Sequence, residues 1–248
     1  MKNSTRNGRR LPFIIIMLFL ISAGAVFAYT HDPEFDVLIA KKGAAARELF
    51  ENPTLYREAQ LRGMPCSPDD FQFLLDRPRT SVALAGKMHK SLDKYYISVV
   101  RPGLYHIEGG KELVGDMELV SDRPGKRLYY VTGYWKLIPG IRLNGRIALA
   151  VDYWEESGAN RKALDARARG YMMVDNSVAG AAFKLAAFLF PKKVDARINR
   201  FATAVRKVVE GVHNDPQGTL KRLESVPYVP PEEAREFRDR FLAKRREL

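Results

Sequence analysis

Residues 162–212 read KALDARARGYMMVDNSVAGAAFKLAAFLFPKKVDARINRFATAVRKVVEGV. The hydrophobic period of this stretch changes once, and that change decides the fold. Over Lys162–Val174, Leu164, Ala166, Ala168, Gly170 and Met172 face one way while Asp165, Arg167 and Arg169 face the other. Alternation of that kind is a strand with one apolar face. From Ser177 the period is helical. Ser177–Phe190 is nearly all apolar, with Lys184 its only charge. Pro191 kinks or restarts the helix. Beyond it Val194, Ile198, Phe201, Val205, Val208 and Val212 recur at spacings of four and three, opposed by Lys193, Arg197, Arg200, Arg206, Lys207 and Glu210. A stripe of that width on a helix has to be buried against something.

Upstream, the period is two as far back as Tyr95. Ile141–Glu155 places Leu143, Gly145, Ile147, Leu149, Val151 and Tyr153 on one face and Arg146 and Asp152 on the other. Arg127–Trp135 is rich in aromatic and β-branched residues. Glu112–Ser121, Leu104–Glu108 and Tyr95–Val100 complete the set, separated by Arg101-Pro102-Gly103, Gly109-Gly110 and Asp122-Arg123-Pro124-Gly125. These turn signals at hairpin spacing predict an antiparallel meander of five or six strands, one face wet and one dry. Residues 34–90 read as mostly helical, with pieces at Ala44–Phe50, Leu55–Leu61, Pro68–Leu75 and Thr80–Met88. Ser67 or Asp69 is positioned to cap the third. After Asn214 the chain predicts a Pro-bearing linker to 231, then a solvated terminal helix at 231–246 with Ala234, Phe237 and Phe241 as its only stripe.

The expected fold class is therefore α+β. An antiparallel sheet of five to six or more strands curves around one long C-terminal helix, preceded by short helices and an N-terminal apolar membrane segment. Sheet and helix each need the other's apolar surface. The small residues Ala179, Gly180, Ala181, Ala182, Ala186 and Ala187, and glycines on the dry strand faces (Gly115, Gly145, Gly170), leave space between them. In this order of elements, residues 44–213 resemble the START-like, helix-grip superfamily of lipid-transfer domains and polyketide cyclases. Residues 170–209 are similar to its final strand and C-terminal helix, and FQFLLDRPRTSVALAGKMH (71–89) resembles the start of uncharacterised bacterial proteins of this kind. The resemblance implies a hydrophobic pocket between sheet and helix and brings no invariant catalytic motif. The domain boundaries expected are 1–30 for the targeting segment, 31–213 for the helix-grip domain (helical 34–90, sheet 94–174, long helix 177–213) and 214–248 for linker and tail.

The N-terminus addresses the chain to a membrane. Lys2, Arg6, Arg9 and Arg10 precede Leu11–Thr30, 20 residues without a charge. Val26 and Ala28 suit cleavage of a signal peptide after Ala28. Twenty uncharged residues also suffice to span a ~30 Å hydrocarbon core as an anchor. Both readings stand, and both put Tyr29 onward outside the cytoplasm, in the periplasm or tethered to the cytoplasmic membrane by residues 11–30. Of the net charge of +12, four units belong to the first ten residues. The remainder fits a solvated surface near anionic lipid better than nucleic acid.

No GxSxG, HExxH, Walker or CxxC motif is present, so no cofactor or metal is expected. His31, His89, His106 and His213 lie in different elements, and Cys66 reads as a free structural thiol. The candidate pocket residues are Tyr130, Tyr134, Leu149, Val151, Tyr153, Met172, Phe183 and Phe201, with His106, Asp116 and Asp152 as polar candidates. These support non-covalent binding or transfer of a lipid or isoprenoid-like ligand beside the membrane. The alternatives are an enzyme of cyclase or hydrolase type, which needs the three polar groups facing inward, and an envelope assembly partner using the basic helix faces and the tail. Protein partners are not specified by the sequence.

Overall fold

The computed structural model describes residues 33–110, 113–138, 141–156, 163–176, 181 and 191–243. The chain divides into two units, Met1–Asp32 and Pro33–Leu248. The apolar segment 11–30 lies outside the described residues, as do residues 177–180 and 182–190. Among the described residues no helix is long and apolar enough to cross a membrane.

Two helices, α1 (Pro33–Lys42) and α2 (Ala44–Glu51), lead into strand β1 (Leu55–Met64). Helices α3 (Pro68–Asp76) and α4 (Pro78–Met88) follow. The Ser67 side chain caps α3 by accepting from the Asp70 N–H, with Pro68 at the first turn and Asp69 and Asp70 where the helix dipole favours acids. Six strands come next: β2 (Tyr95–Arg101), β3 (Leu104–Gly109), β4 (Leu113–Arg123), β5 (Lys126–Ile138), β6 (Ile141–Glu155) and β7 (Leu164–Val174). The long helix α5 is described over Pro191–Asn214. Helices α6 (Pro216–Glu224) and α7 (Pro231–Arg238) close the described chain, α7 running into a π-type turn at Asp239–Ala243.

The seven strands form one antiparallel sheet in the order β1-β7-β6-β5-β4-β3-β2. The segment expected as a helix at Leu55–Leu61 is instead the edge strand β1. Its residues are good helix formers, but β7 offers a matched partner: Tyr56 faces Tyr171, Glu58 faces Arg169, and Leu61 faces Ala166. Cross-strand pairing overrides local propensity here.

Both edges of the sheet reach the same helix. From β1, Arg57 Nε meets Asp195 Oδ1 of α5 at 3.0 Å. From β2, the Tyr95 ring meets Phe201 of α5 at 5.5 Å. In a flat sheet the outer strands stand roughly 29 Å apart at ~4.8 Å per strand. Six residues of helix advance only ~9 Å. The sheet must therefore curl around α5, which is the helix-grip arrangement.

The expectation of one wet face needs correction. The concave face carries Ile97, Tyr105, Met117 and Tyr129, packed with Val131, Leu149 and Val151. The reverse face is also dry at its centre, because α1 and α2 cover it. There Phe35, Leu38, Leu49 and Phe50 bury Leu128, Tyr130, Ala148, Ala150 and Met173. The expectation of a linker and solvated helix after Asn214 is likewise overturned. Phe237 and Leu223 are wholly buried and join Val208, Val209, Val212 and Leu84 in the main core. Opposite charges hold the tail down. Glu233 accepts from Arg79 and from the buried Thr80 hydroxyl, Arg77 Nε pairs with Glu236 Oε2, and Arg240 pairs with Asp70.

Candidate functional site: the concave face and helix α5

The floor of the concave face is built from rows of residues facing each other across strands. One row runs Ile107, Gly115, Gly133, Gly145, Val174 across β3 to β7. Three successive strands thus offer no side chain. A Cβ on Gly133 would overlap the Val114 carbonyl and the Gly115 Cα, so the close approach of β4 and β5 requires glycine there. The next row runs Tyr105, Met117, Val131, Ile147, Met172. Ile107, Val131, Ile147, Leu149, Val151 and Met172 are half-buried rather than buried. An apolar floor thus remains partly uncovered by the described residues.

One end of this floor is closed. Arg127 is wholly buried there, with its guanidinium on Asp122 Oδ1 at 2.6 Å and Asp76 Oδ1 at 3.0 Å. Burial by itself opposes the charge, but the Asp76 hydrogen bond and the two carboxylates outweigh it and hold the arginine ionised. Tyr129 donates to the Leu75 carbonyl and Tyr153 to Gln72 Oε1, at 3.4 and 3.3 Å. Burial pushes the Tyr129 phenol well above its ordinary range. These groups pin α3 to the sheet.

Helix α5 shows the same division along its length. Ala204, Val208, Val209 and Val212 are buried. Phe201 and Val205, on the same apolar stripe, are 42% and 38% exposed. The expected stripe is present, fully covered at Val208 and Val212 and left open at Phe201 and Val205.

Of the expected pocket residues, Leu149, Val151 and Met172 lie on the concave floor and Phe201 faces it from α5. Tyr153 also points to the concave side, but at the closed end, buried with its ring 5.4 Å from Phe71. Tyr130 and Tyr134 correct the expectation. They have the opposite parity on β5 from Tyr129 and Val131, and Tyr130 packs under α1 and α2 with Lys42 Nζ 5.4 Å from its ring. Phe183 lies outside the described residues.

The three polar candidates are also on the reverse face. His106 Nδ1 meets Asp116 Oδ1 at 2.7 Å across β3 and β4, and Asp116 is more than half exposed. Asp152 is buried on the reverse side of β6 and pairs with Arg167 and Arg169 at 3.2 and 2.9 Å. None of them serves acid–base chemistry on the concave floor. The residues that sequence reasoning passed over are Ile107, Val131 and Ile147 on the floor, Tyr95 at its rim and Arg127 at its closed end. Arg127 shares the parity of Tyr129 and Val131, but both faces of β5 are apolar, so the sequence carried no signal for its side.

A separate cleft of about 240 Å³ lies behind the closed end, lined by Cys66, Asp70, Leu74, Val212, Arg240 and Phe241 among others. Its charged pair is satisfied internally, with Arg240 Nε and Nη2 both on Asp70 Oδ1 at 2.9 and 2.8 Å. Burial, with a contribution from Asp70, pushes the Cys66 thiol up to about 12, so it is protonated and a poor nucleophile at neutral pH. Among the described residues no group of three His, Cys, Asp or Glu side chains is placed to hold a metal ion.

No family model matches this chain, and none of the curated proteins does. Solved structures do. DR_A0006 from Deinococcus radiodurans is similar over 57% of this chain and 98% of its own, at 15% identity and a TM-score of 0.32. A conserved protein from Geobacillus kaustophilus is similar over 64% and 95%, at 12% identity and a TM-score of 0.40. The di-domain ARO/CYC BexL from the BE-7585A biosynthetic pathway is similar over 71% and 60%, at 15% identity and a TM-score of 0.38. The fold assignment rests on the strand order and the gripped helix described above.

Proposed function

We propose that this protein binds a hydrophobic ligand, lipid or isoprenoid-like, without covalent chemistry, between the concave face and the part of α5 around Phe201 and Val205. One observation carries the reading. A single apolar stripe on α5 is dry at Ala204, Val208, Val209 and Val212 and open at Phe201 and Val205, opposite a half-covered floor of Ile107, Val131, Ile147 and Leu149. Burial of a ligand's apolar surface there supplies affinity at ~25 cal/mol per Å² before ordering costs. The basic segment and the 20 uncharged residues of the N-terminus support a location at the outer side of the cytoplasmic membrane, next to the source of such a ligand. Transfer between membranes is the extension of that reading.

The enzyme alternative loses its three polar candidates to the reverse face. The assembly alternative loses the tail, whose apolar side is consumed by the core. The test uses the full chain purified from membranes, followed by organic extraction and mass spectrometry. A lipid-soluble molecule near one per chain is expected. Leu149→Trp, which fills the floor, releases it. Equal recovery from wild type and from Leu149→Trp sinks the reading.

A further inference from the structure

The two sides of α5 are fastened very differently. On the β1 side, Arg57 pairs with Asp195, Arg206 Nη2 donates to the Arg62 carbonyl at 2.9 Å, and Val208, Val209 and Val212 are locked into the main core. On the β2 side, α4 packs against both β2 and α5, and the direct ring contact between β2 and α5 found among the described residues is an edge-to-face pair. The Tyr95 and Phe201 rings stand 5.5 Å apart at 72°. Phe201 is 42% exposed and Tyr95 half-buried. Directly along the strands from this pair lie Ile97 and Ile107, the β2 and β3 end of the glycine row on the floor.

Gly109 makes the seat for this pair. It faces Tyr95 across the β2–β3 ladder, and the Tyr95 ring lies over its Cα. A methyl group at position 109 would overlap that ring. Glycine therefore lets Tyr95 fold down over the sheet edge and reach Phe201. On the solvent side Lys94 Nζ stands 5.7 Å from the centre of the Tyr95 ring, a cation over an aromatic face. Both rings can leave these positions by side-chain rotation, which for partly exposed residues is fast and needs no movement of helix or sheet.

We propose that Tyr95 and Phe201, seated on Gly109, are the gate through which the apolar ligand passes between β2 and α5. This rests on the reading that the concave face holds such a ligand. The moving part of the gate is Tyr95, which controls the rate of passage and contributes little to the bound state, because the ligand lies beyond it between the floor and α5.

The test is stopped-flow fluorescence of the full-length protein with N-phenyl-1-naphthylamine, an uncharged apolar probe. Tyr95→Ala and Gly109→Ala are compared with wild type, with Tyr95→Phe and Val100→Ala as controls. Gly109→Ala removes no surface from the gate and only displaces the ring, and the unfolding midpoint of each variant verifies its fold. The expected result is that association and dissociation rates both rise about tenfold in the two gate variants while Kd moves by less than about twofold. Both controls keep wild-type rates. Rates within about twofold of wild type in both variants overturn the gate and leave the binding reading intact. A loss of affinity carried by dissociation alone also overturns it, since the Tyr95 ring is then part of the binding surface. Wild-type protein that does not bind the probe at all overturns gate and concave site together.

Discussion

Helix α5 carries one apolar stripe through two different surroundings. At its C-terminal half, Val208 and Val212 meet Leu84 from α4, Leu220 and Leu223 from α6, and Met64 from β1. One to two turns before these, Phe201 and Val205 keep more than a third of their surface open, and the facing strands present glycine and half-covered aliphatic residues. The same periodicity thus serves stability at one end and leaves a surface for binding at the other. The difference comes from the neighbours. The tail, expected to be solvated, supplies the packing that closes one end, while the row of Gly115, Gly133 and Gly145 removes side chains from the other. A helical stripe states that a face must be covered, not what covers it.

The sharpest way to break this contrast is to open the closed end. Phe237→Ala removes a wholly buried ring from the core cluster that contains Val208 and Val212, and a cost of ~3–5 kcal/mol is expected. Urea unfolding monitored by circular dichroism measures it, and a change below about 1 kcal/mol would mean that the tail does not close this end. Next in size is Glu233→Ala, which leaves Arg79 and the buried Thr80 hydroxyl without their carboxylate. Loss of roughly 2 kcal/mol is expected, with no change in probe affinity at the concave face.

The most direct comparison lies within α5. Val208→Ala should cost ~1–3 kcal/mol, whereas Val205→Ala should stay within ~0.5 kcal/mol and act on probe binding instead. Equal destabilisation by the two would erase the division between halves. The smallest effect concerns Cys66, behind the closed end. Its folded value is about 12 against an ordinary value of 9.0, so the folded state holds its proton more tightly than the unfolded chain. Its contribution to stability is then fully present below about pH 9 and falls away between about 9 and 12. At pH 8 iodoacetamide should label the native thiol slowly and the urea-unfolded thiol quickly. Fast native labelling would show that the closed end opens readily.

Much of the fold was legible residue by residue. The alternation in 141–155 and 162–174 named the concave face of β6 and β7 correctly, and the Ser67-Pro68-Asp69-Asp70 cap located α3. Strand β1 was not legible, because Tyr56–Arg62 contains good helix formers, and its pairing with β7 spans more than a hundred residues of sequence. Parity on β5 was the obstacle at the site. In Leu128-Tyr129-Tyr130-Val131 both faces are apolar, so nothing local says that Tyr129 belongs to the concave side and Tyr130 to the face under α1. His106 and Asp116 were legible as polar residues of paired strands, but their side of the sheet depended on the same register.

By itself, the sequence determined the class of the molecule: an antiparallel meander, a final strand, and a long amphipathic helix behind a basic and apolar N-terminus. These are local quantities, set by period, turn chemistry and charge within a few residues. Tertiary structure alone decided that the sheet has two dry faces, that the tail is part of the core, and which half of the α5 stripe stays open. Each of those depends on which surfaces meet across the chain. Burial is a property of pairs of surfaces, and a single segment records only its own half.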